Sequence, residues 1–507
     1  MPAWARHDRG YATLEPAQPS TASNPGTVLG PSGDDCFRLG KRLTGAEFVA
    51  ALLVTTFAMP VCAVDAVMPE PQAVTTQTTP VKPSDSSAPE PAAGDHTDTP
   101  DSTEQGQVDI SNSFGRRPLD EVLRESRRVG VRDTTISAQL RTYYLQRDNF
   151  NGSESGAWTL GGSAGLKTGY FLNTVALGVT AFTSQRLYGP EDKDGTKLLQ
   201  AGQRPYTVLG ELYGQLRVTD QITASAGRRE FSTPLINAQD SLMTPNTFEA
   251  YVLQGAFGST NTRTLRFGAG YVDRIKQRNS EDFISMATAA GAPAGVSRGV
   301  YVAGASYNAG ELSIGAVEYY SADVINIFYT EIKYTGPLAE RLGVRLAAQY
   351  GNQRSTGDDL LTGKSFSADQ YGVKAELAIG PMLVTAARTI TSSGASMRNS
   401  WGSYPGYTSV QVENFYRAGE NATMLRAAYN FPKRTGLSLY GLWVHGSSPD
   451  DAKQFARTEY DGNVQWTAQS GALQGLALRA RFARIVQGGP KDQHENELRL
   501  IVNFPLR

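Results

Sequence analysis

The chain has 507 residues, a formal net charge of -1 and 40% hydrophobic residues, with 52 glycines, 23 tyrosines and 2 cysteines. Near-neutral charge gives no reason to expect a nucleic-acid partner. Length alone suggests several soluble domains, an expectation that the patterning along the chain replaces.

Residues 1–66 read as an N-terminal extension and signal peptide. Arg38, Lys41 and Arg42 precede the apolar run 48–64, which is short and contains Pro60; small residues follow, and cleavage is expected after Ala63 or Ala66. A single anchor helix is the alternative. Cys62 invites a lipoprotein reading, but Val61 stands where such a site wants Gly or Ala. The first forty residues do not resemble a signal peptide, and translation from a start codon set too far upstream is expected; the N-terminus of the precursor tests this. Both cysteines, Cys36 and Cys62, lie in this region, so the processed chain is expected to carry no thiol and no disulfide.

Residues 67–115 are rich in Pro, Thr, Ser, Asp and Glu, with almost no large apolar side chains. Such a segment buries too little to fold and reads as a disordered linker. At 118–129, Pro118 suits a first helical position, and Leu119, Val122 and Leu123 share one face; a short helix and more linker are both open.

From Ile136 onward the period becomes two. In the last run Leu498, Leu500, Val502 and Phe504 share one face, while Glu497, Arg499 and Asn503 share the other. In 342–350 Leu342, Val344, Leu346, Ala348 and Tyr350 oppose Arg345 and Gln349. About eighteen such segments of about nine to twelve residues occur, the length of a tilted strand crossing a bilayer. Tight connections (218–221, 258–261, 307–310, 379–381, 432–434) alternate with long ones (185–206, 230–247, 274–297, 351–366, 392–420, 445–456). Short turns on one side and long loops on the other are the pattern of an outer-membrane barrel. The gap 320–324 is short where a long loop is due, which raises a misplaced strand there. The fold class is therefore all-β: residues 116–507 form a transmembrane antiparallel β-barrel of about eighteen strands, closed because hydrocarbon tolerates no open edge.

The stretch 228–251, RREFSTPLINAQDSLMTPNTFEAY, interrupts the strands. Pro234 and Pro245 cannot donate to a ladder, and Asn237, Asp240, Ser241 and Asn246 favour turns. Leu235, Ile236, Leu242, Met243 and Phe248 give it apolar surface to pack. A long loop with its own packing is expected to be functional, and this one reads as a loop folded into a pore.

An Arg facing lipid costs about 2–4 kcal/mol at the midplane, so single charges within alternating runs mark lumen positions. This places Arg141, Arg217, Arg266, Arg345, Arg388, Arg426, Arg479, Arg481 and Arg499 inside, with Glu211, Glu331, Glu376 and Glu497. The alternation of the Arg388 strand is poor. Guanidiniums down one wall guide anionic groups, and Asp240 from the inward loop is the candidate to hold an ammonium. The expected pore-lining and substrate residues are Arg266, Arg345, Arg388, Arg426, Arg479, Arg481, Asp240, Asn237 and Asn246. The bland reading is that these arginines and glutamates pair with one another and merely fill a polar lumen.

Enzyme readings are poor. His7 and His96 precede the barrel; His445 and His494 fall in neighbouring outer loops near Asp450, Asp451, Asp492 and Glu495. A rim protease could be built from them, but nothing fixes a nucleophile. No serine elbow, zinc spacing or phosphate-cradling loop occurs. No enzyme activity, cofactor or metal is expected.

The residues from 116 to 507 resemble the OprD-type outer-membrane porins of Gram-negative bacteria. The resemblance rests on LRTYYLQRD (140–148), GRREFSTPLINAQDSLMTPNTFEAY (227–251), SYPGYTS (403–409), FYRAGE (415–420) and ENELRLIVNFPL (495–506). It implies an eighteen-stranded barrel whose constriction is set by an inward loop facing a ladder of arginines. It further implies diffusion of basic amino acids, small peptides or carboxylates by a monomer or loose trimer, in contact with outer-membrane lipid and lipopolysaccharide. The sequence departs in three places. Leu242 stands where a basic residue is expected, the chain ends Phe504-Pro-Leu-Arg rather than on an aromatic, and the linker is longer than the family needs. The alternative is a surface adhesin or receptor on a closed barrel, binding through the long loop 392–420.

Overall fold

The structure, a computed structural model, describes residues 119–506 other than 260–262, 340–341 and 433–434. The expected signal region, the linker 67–115, both cysteines, His7 and His96 lie outside the described residues.

Helix α1 (Leu119–Arg132) leads into the first strand. Its end abuts the 168–174 turn, where Gly169 N donates to Gly130 O at 2.9 Å. The strands are β1 (Thr135–Asp148), β2 (Glu154–Lys167), β3 (Val175–Tyr188), β4 (Tyr206–Arg217), β5 (Ile222–Arg229), β6 (Thr247–Ser259) and β7 (Arg263–Lys276). A three-residue strand β8 (Phe283–Ser285) and helix α2 (Met286–Ala290) follow within one connection. Then come β9 (Val300–Ala309), β10 (Leu312–Ser321), β11 (Ile325–Ala339), β12 (Leu342–Arg354), β13 (Ser367–Ile379) and β14 (Met382–Thr391). The last are β15 (Asn421–Asn430), β16 (Leu437–Gly446), β17 (Arg457–Thr467), β18 (Ala477–Gln487) and β19 (Gln493–Leu506).

All nineteen belong to one sheet. Leaving aside β8, which pairs only with β7, the other eighteen (19 - 1) form an antiparallel barrel. It closes where β1 pairs with both β2 and β19, with Leu140 opposite Phe504. Closure removes every edge, as a bilayer core requires. The short connection at 322–324 is real: Ser321 and Ile325 are register partners, and Asp323 turns the chain at φ 62°. No strand is misplaced there; one outer connection is simply tight.

The period-two pattern sorts the faces. Ile136, Tyr251 and Val373 are exposed (79%, 62% and 59%) and face the side that lipid covers. Tyr251, Tyr271, Tyr301 and Tyr320 are successive register partners across β6, β7, β9 and β10. They form part of an aromatic girdle. Two expectations are corrected here. Arg388 faces outward: its partners are Val373 and Thr423, while its neighbours Ala387 and Thr389 are buried on the lumen side. Its face is shared by Met382, Val384, Ala386 and Ile390, so the apolar period is intact and the assumption that a lone charge faces the lumen is what misplaces it. It lies three residues from the outer end of β14 (391 - 388), and near an interface the penalty for a charge falls to about 0–1 kcal/mol. His445 and His494 are not in loops; they lie in β16 and β19.

The barrel interior is filled at its outer end by folded-in loops. Leu235, Ile236 and Phe248 pack with Met286, Ala287, Tyr319, Trp401 and Tyr404. Leu242 and Met243 pack with Tyr143, Leu145, Leu198 and Leu199. Tyr407 and Phe415 pack with Ala387, Met424 and Val444. These contacts place the candidate site.

Candidate constriction and basic wall

Loop 230–246 folds inward and is held by side chains of the wall. The Arg141 guanidinium donates to both Asp240 oxygens at 2.5 and 2.9 Å, to Leu242 O at 2.7 Å and to Asn503 Oδ1 at 2.7 Å. A fork-to-fork pair of this kind is among the stronger contacts available. Leu242, where a basic residue was expected, is buried in the apolar cluster and contributes its carbonyl instead. Tyr319 OH donates to Thr233 Oγ1 at 2.9 Å and accepts from Leu235 N. The buried Lys276 donates to Thr244 Oγ1, and Arg278 to Ser241 Oγ at 2.6 Å.

Loop 392–420 also folds inward, so the long loop proposed as an external binding loop lies inside the barrel. It is held mainly through its backbone. Val412 N and Glu413 N donate to Glu459 at 2.9 and 2.8 Å, and Gln411 N to Asp461 at 3.1 Å. Gln411 Nε2 donates to Glu497, Arg499 to Gln411 O, and Arg457 to Glu413. Tyr407 OH donates to Glu331 at 2.7 Å and Tyr404 OH to Gln370 at 2.9 Å.

Asn237 joins the two loops. Its Oδ1 accepts from Ser403 N at 2.8 Å, and its Nδ2 donates to Ser403 O, Pro234 O and Thr233 O. Gly402 is needed at the contact, because a Cβ there would stand 2.6 Å from the Asn237 amide. Asn237 and Asn246 are 1% and 4% exposed, and Asn246 N donates to Ala238 O. Both are therefore staples inside the loop and do not line the pore: a buried amide in a turn satisfies backbone groups before it meets solute. Asp240 does face the lumen, but tied to Arg141.

The predicted arginines divide. Arg426 lies over the Tyr440 ring at 4.3 Å, and Arg481 donates to Tyr440 OH at 3.2 Å. Arg479 donates to Asn463 at 2.6 Å, and Arg499 is paired with Glu497 at 2.5 Å. Arg481 stands opposite Arg499 and Asn463 in register, so two guanidiniums face one another across β18 and β19. The Arg481 Nε is buried without a hydrogen-bond acceptor among the described residues. Arg345 is held by Glu376 at 2.8 Å. Arg266 shares the lumen face with Ser306 and is exposed toward the inner mouth. Arg217 lies over the Tyr170 ring at 4.1 Å and bonds Asn173 in an inner turn. The outcome is a basic band from β15 through β19 to β1.

Three strands beyond β1, on β4, Glu211 accepts from Thr180 Oγ1 and from Glu230 N. Burial, then the neighbouring Glu211 and Asp240, push the Glu230 carboxyl up to about 8. Burial, then the charge of Arg499, lower Arg278 to about 10. Several of these residues were missed by reading the sequence: Glu230, Arg278, Lys276, Tyr440, Glu459 and Asp461. The last two carry a legible signal, since Glu459 and Asp461 are two apart in one strand and must share a face. The histidine constellation does not form: His445 faces outward, with Nδ1 2.9 Å from Thr458 Oγ1, whereas Glu495 faces the lumen near Arg147.

Residues 131–507 match the family model described as outer membrane porin, OprD family. Porin D of Pseudomonas aeruginosa is 25% identical over 422 residues, covering 74% of this chain and 91% of that one. The crystal structure of P. aeruginosa OpdK with vanillate superposes with a TM-score of 0.65 at 22% identity, over 74% of this chain and 99% of that one. That of OccAB3 of Acinetobacter baumannii gives 0.67 at 19% identity, over 74% and 100%. A closed barrel with an aromatic girdle, inward loops and this match have one reading: the chain belongs to the OprD family of porins of the bacterial outer membrane.

Proposed function

We propose that the channel passes small carboxylates and zwitterions, guiding the carboxylate along the basic band while the ammonium of a zwitterion meets the acidic side at Glu211. The observation that carries this reading is the unused, buried Arg481 Nε beside Arg499. Two guanidiniums in register repel one another, and an entering carboxylate relieves that repulsion while supplying the missing acceptor. Arg binds carboxylates through a planar fork and keeps its charge at any working pH, so it is suited to a relay. Basic amino acids and small peptides share the carboxylate and fall within the same class. Vanillate, the molecule with which OpdK was crystallised, is an aromatic carboxylate of the size this reading favours. The other possible role of these side chains, filling a polar lumen by mutual pairing, accounts for Arg345 with Glu376 and Arg499 with Glu497, and Arg481 has the charge of Asp461 near it, but that role leaves the Arg481 Nε without an acceptor among the described residues.

Single-channel recording on the refolded protein tests the proposal. Aromatic and aliphatic carboxylates and amino acids are added one class at a time. Discrete openings blocked by carboxylates are expected, with block about tenfold weaker in Arg481→Gln, the loss of one charge-assisted bond. Block by uncharged or purely cationic solutes to the same extent would overturn it.

A further inference from the structure

The outward wall holds polar side chains, two of them guanidiniums, that the channel does not use. Arg388 on β14, His445 on β16 and Arg484 on β18 all face the lipid side. The partners of Arg388 are Val373 and Thr423, and those of Arg484 are Tyr460 and Asn496. His445 lies in the same register row as Arg388, through Thr423, and Thr458 continues that row. Both arginines are exposed, and neither has an ion pair among the described residues. With strands about 4.8 Å apart, Arg388 and His445 are about 10 Å apart at the backbone, and Arg484 is about 12 Å from His445. Arg388 and Arg484 are themselves four strands apart, about 20 Å at the backbone, so each guanidinium reaches a phosphate of its own rather than a shared one.

The surroundings are built for an interface. Trp443 stacks on His445 with ring planes 7° apart, and Tyr460 is the register partner of Trp443. Aromatic residues of this kind sit at the headgroup level of a membrane. Arg388 and Arg484 are each three residues from the outer end of their strand (391 - 388 and 487 - 484). Nearby carboxylates are engaged elsewhere or make no ion pair with these arginines among the described residues. Asp369 accepts from Tyr350 OH and Asn352, Glu154 pairs with Lys193, and Asp148 lies beyond Asn496, two strands from Arg484.

Two uncompensated guanidiniums at the outer boundary of an apolar wall call for an anion that lives in the lipid. We infer that this face binds the phosphorylated headgroup of lipopolysaccharide, with Arg388 and Arg484 holding phosphate oxygens and Trp443 and Tyr460 resting on the sugar. The charge complementarity sets the class: guanidiniums bind phosphate bidentately, and basic side chains at headgroup depth recognise anionic lipids. The free charges then cost little, because the headgroup neutralises them.

The test uses the full protein extracted from outer membranes and reconstituted in nanodiscs. Arginine modification by phenylglyoxal is mapped by mass spectrometry with lipopolysaccharide, with the same lipid dephosphorylated, and with phosphatidylglycerol at equal charge. Protection of Arg388 and Arg484 by the phosphorylated glycolipid alone is expected. The variant R388Q/R484Q is expected to retain it about tenfold less well at unchanged channel conductance. Equal protection by phosphatidylglycerol would reduce the site to bulk attraction and overturn the inference, as would protection by the dephosphorylated lipid or none at all. If the variant fails to fold, the protection pattern of the unmodified protein decides alone.

Discussion

The two inward loops reach the same place by different means. Loop 230–246 brings its own side chains to the wall: Asp240 to Arg141, Thr233 to Tyr319, Ser241 to Arg278. Loop 392–420 brings backbone amides at 411–413, and the wall supplies the carboxylates Glu459 and Asp461. The first kind of seat is written in the loop. The second is written in a strand far along the chain, so the loop's own sequence shows aromatic side chains to pack but not the acceptors that hold its backbone.

The largest effect is expected where the wall provides everything. Replacing Glu459 and Asp461 together by alanine strips acceptors from three backbone N–H groups, each worth about 1–3 kcal/mol when left buried and unpaired. Loop 392–420 then leaves its seat, and single-channel conductance rises severalfold while the barrel keeps its resistance to unfolding in detergent. Unchanged conductance would mean that the apolar contacts of Tyr407 and Phe415 hold the loop unaided.

This contrast also explains what was legible in the sequence. Period-two alternation exposed the strands, the closure and the lumen positions of Arg345, Arg426, Arg479 and Arg481, because lipid on one side and polar lumen on the other enforce it. It failed at Arg388, where the rule that a lone charge faces the lumen overrode the period: MLVTAARTIT keeps Thr385, Thr389 and Thr391 inside and Met382, Val384 and Ile390 outside. Prolines and turn formers marked loop 230–246, yet Asn237 and Asn246 were read as pore-lining when they are buried staples. A turn-favouring amide bonds whichever backbone is near, and composition does not say whether solute can reach it.

The next largest effect belongs to the first loop. Arg141→Lys keeps the charge but loses the fork, so the paired contacts to Asp240 and the bond to Leu242 O cannot all persist. The Asp240 side chain is 44% exposed, so water screens part of the loss, and about 1 kcal/mol is expected. That changes occupancy rather than the mean: rapid flicker should appear in open-channel current with little change in average conductance. A quiet trace would show that Tyr319 and the apolar cluster suffice to hold this loop.

A smaller and reversible effect is expected from pH. The Glu230 carboxyl is raised to about 8 by burial and by Glu211 and Asp240, above its free value of about 4.3. The loop seat therefore favours the protonated form. Its contribution is complete below about pH 4 and declines as pH rises, until it is lost above about 8. Charge follows the same window: near pH 6 Glu230 is neutral, and near pH 9 it adds a negative charge to the acidic side. Reversal potentials in a salt gradient should shift toward cation preference between these values, and because the buried Lys276 lies beside Glu230, Glu230→Gln should reduce the shift rather than abolish it. A shift of unchanged size in the variant would assign the titration to another group.

The smallest effect tests whether the two seats are independent. Asn237 and Ser403 share hydrogen bonds between the loops, with Oδ1 accepting from Ser403 N and Oγ. Asn237→Ala removes these while leaving Arg141–Asp240 and the Glu459 and Asp461 anchors intact, so neither loop should leave the lumen. The lost bonds are worth about 0.5–1.5 kcal/mol net each, too little to unseat a loop but enough to uncouple two. The measurement is a double-mutant cycle on flicker rate, combining Asn237→Ala with Arg141→Lys and, separately, with Glu459→Ala. A loop pair joined through Asn237 gives non-additive rates in both cycles. Additive rates in both would mean that each loop moves by itself, and that the constriction is two gates in series rather than one.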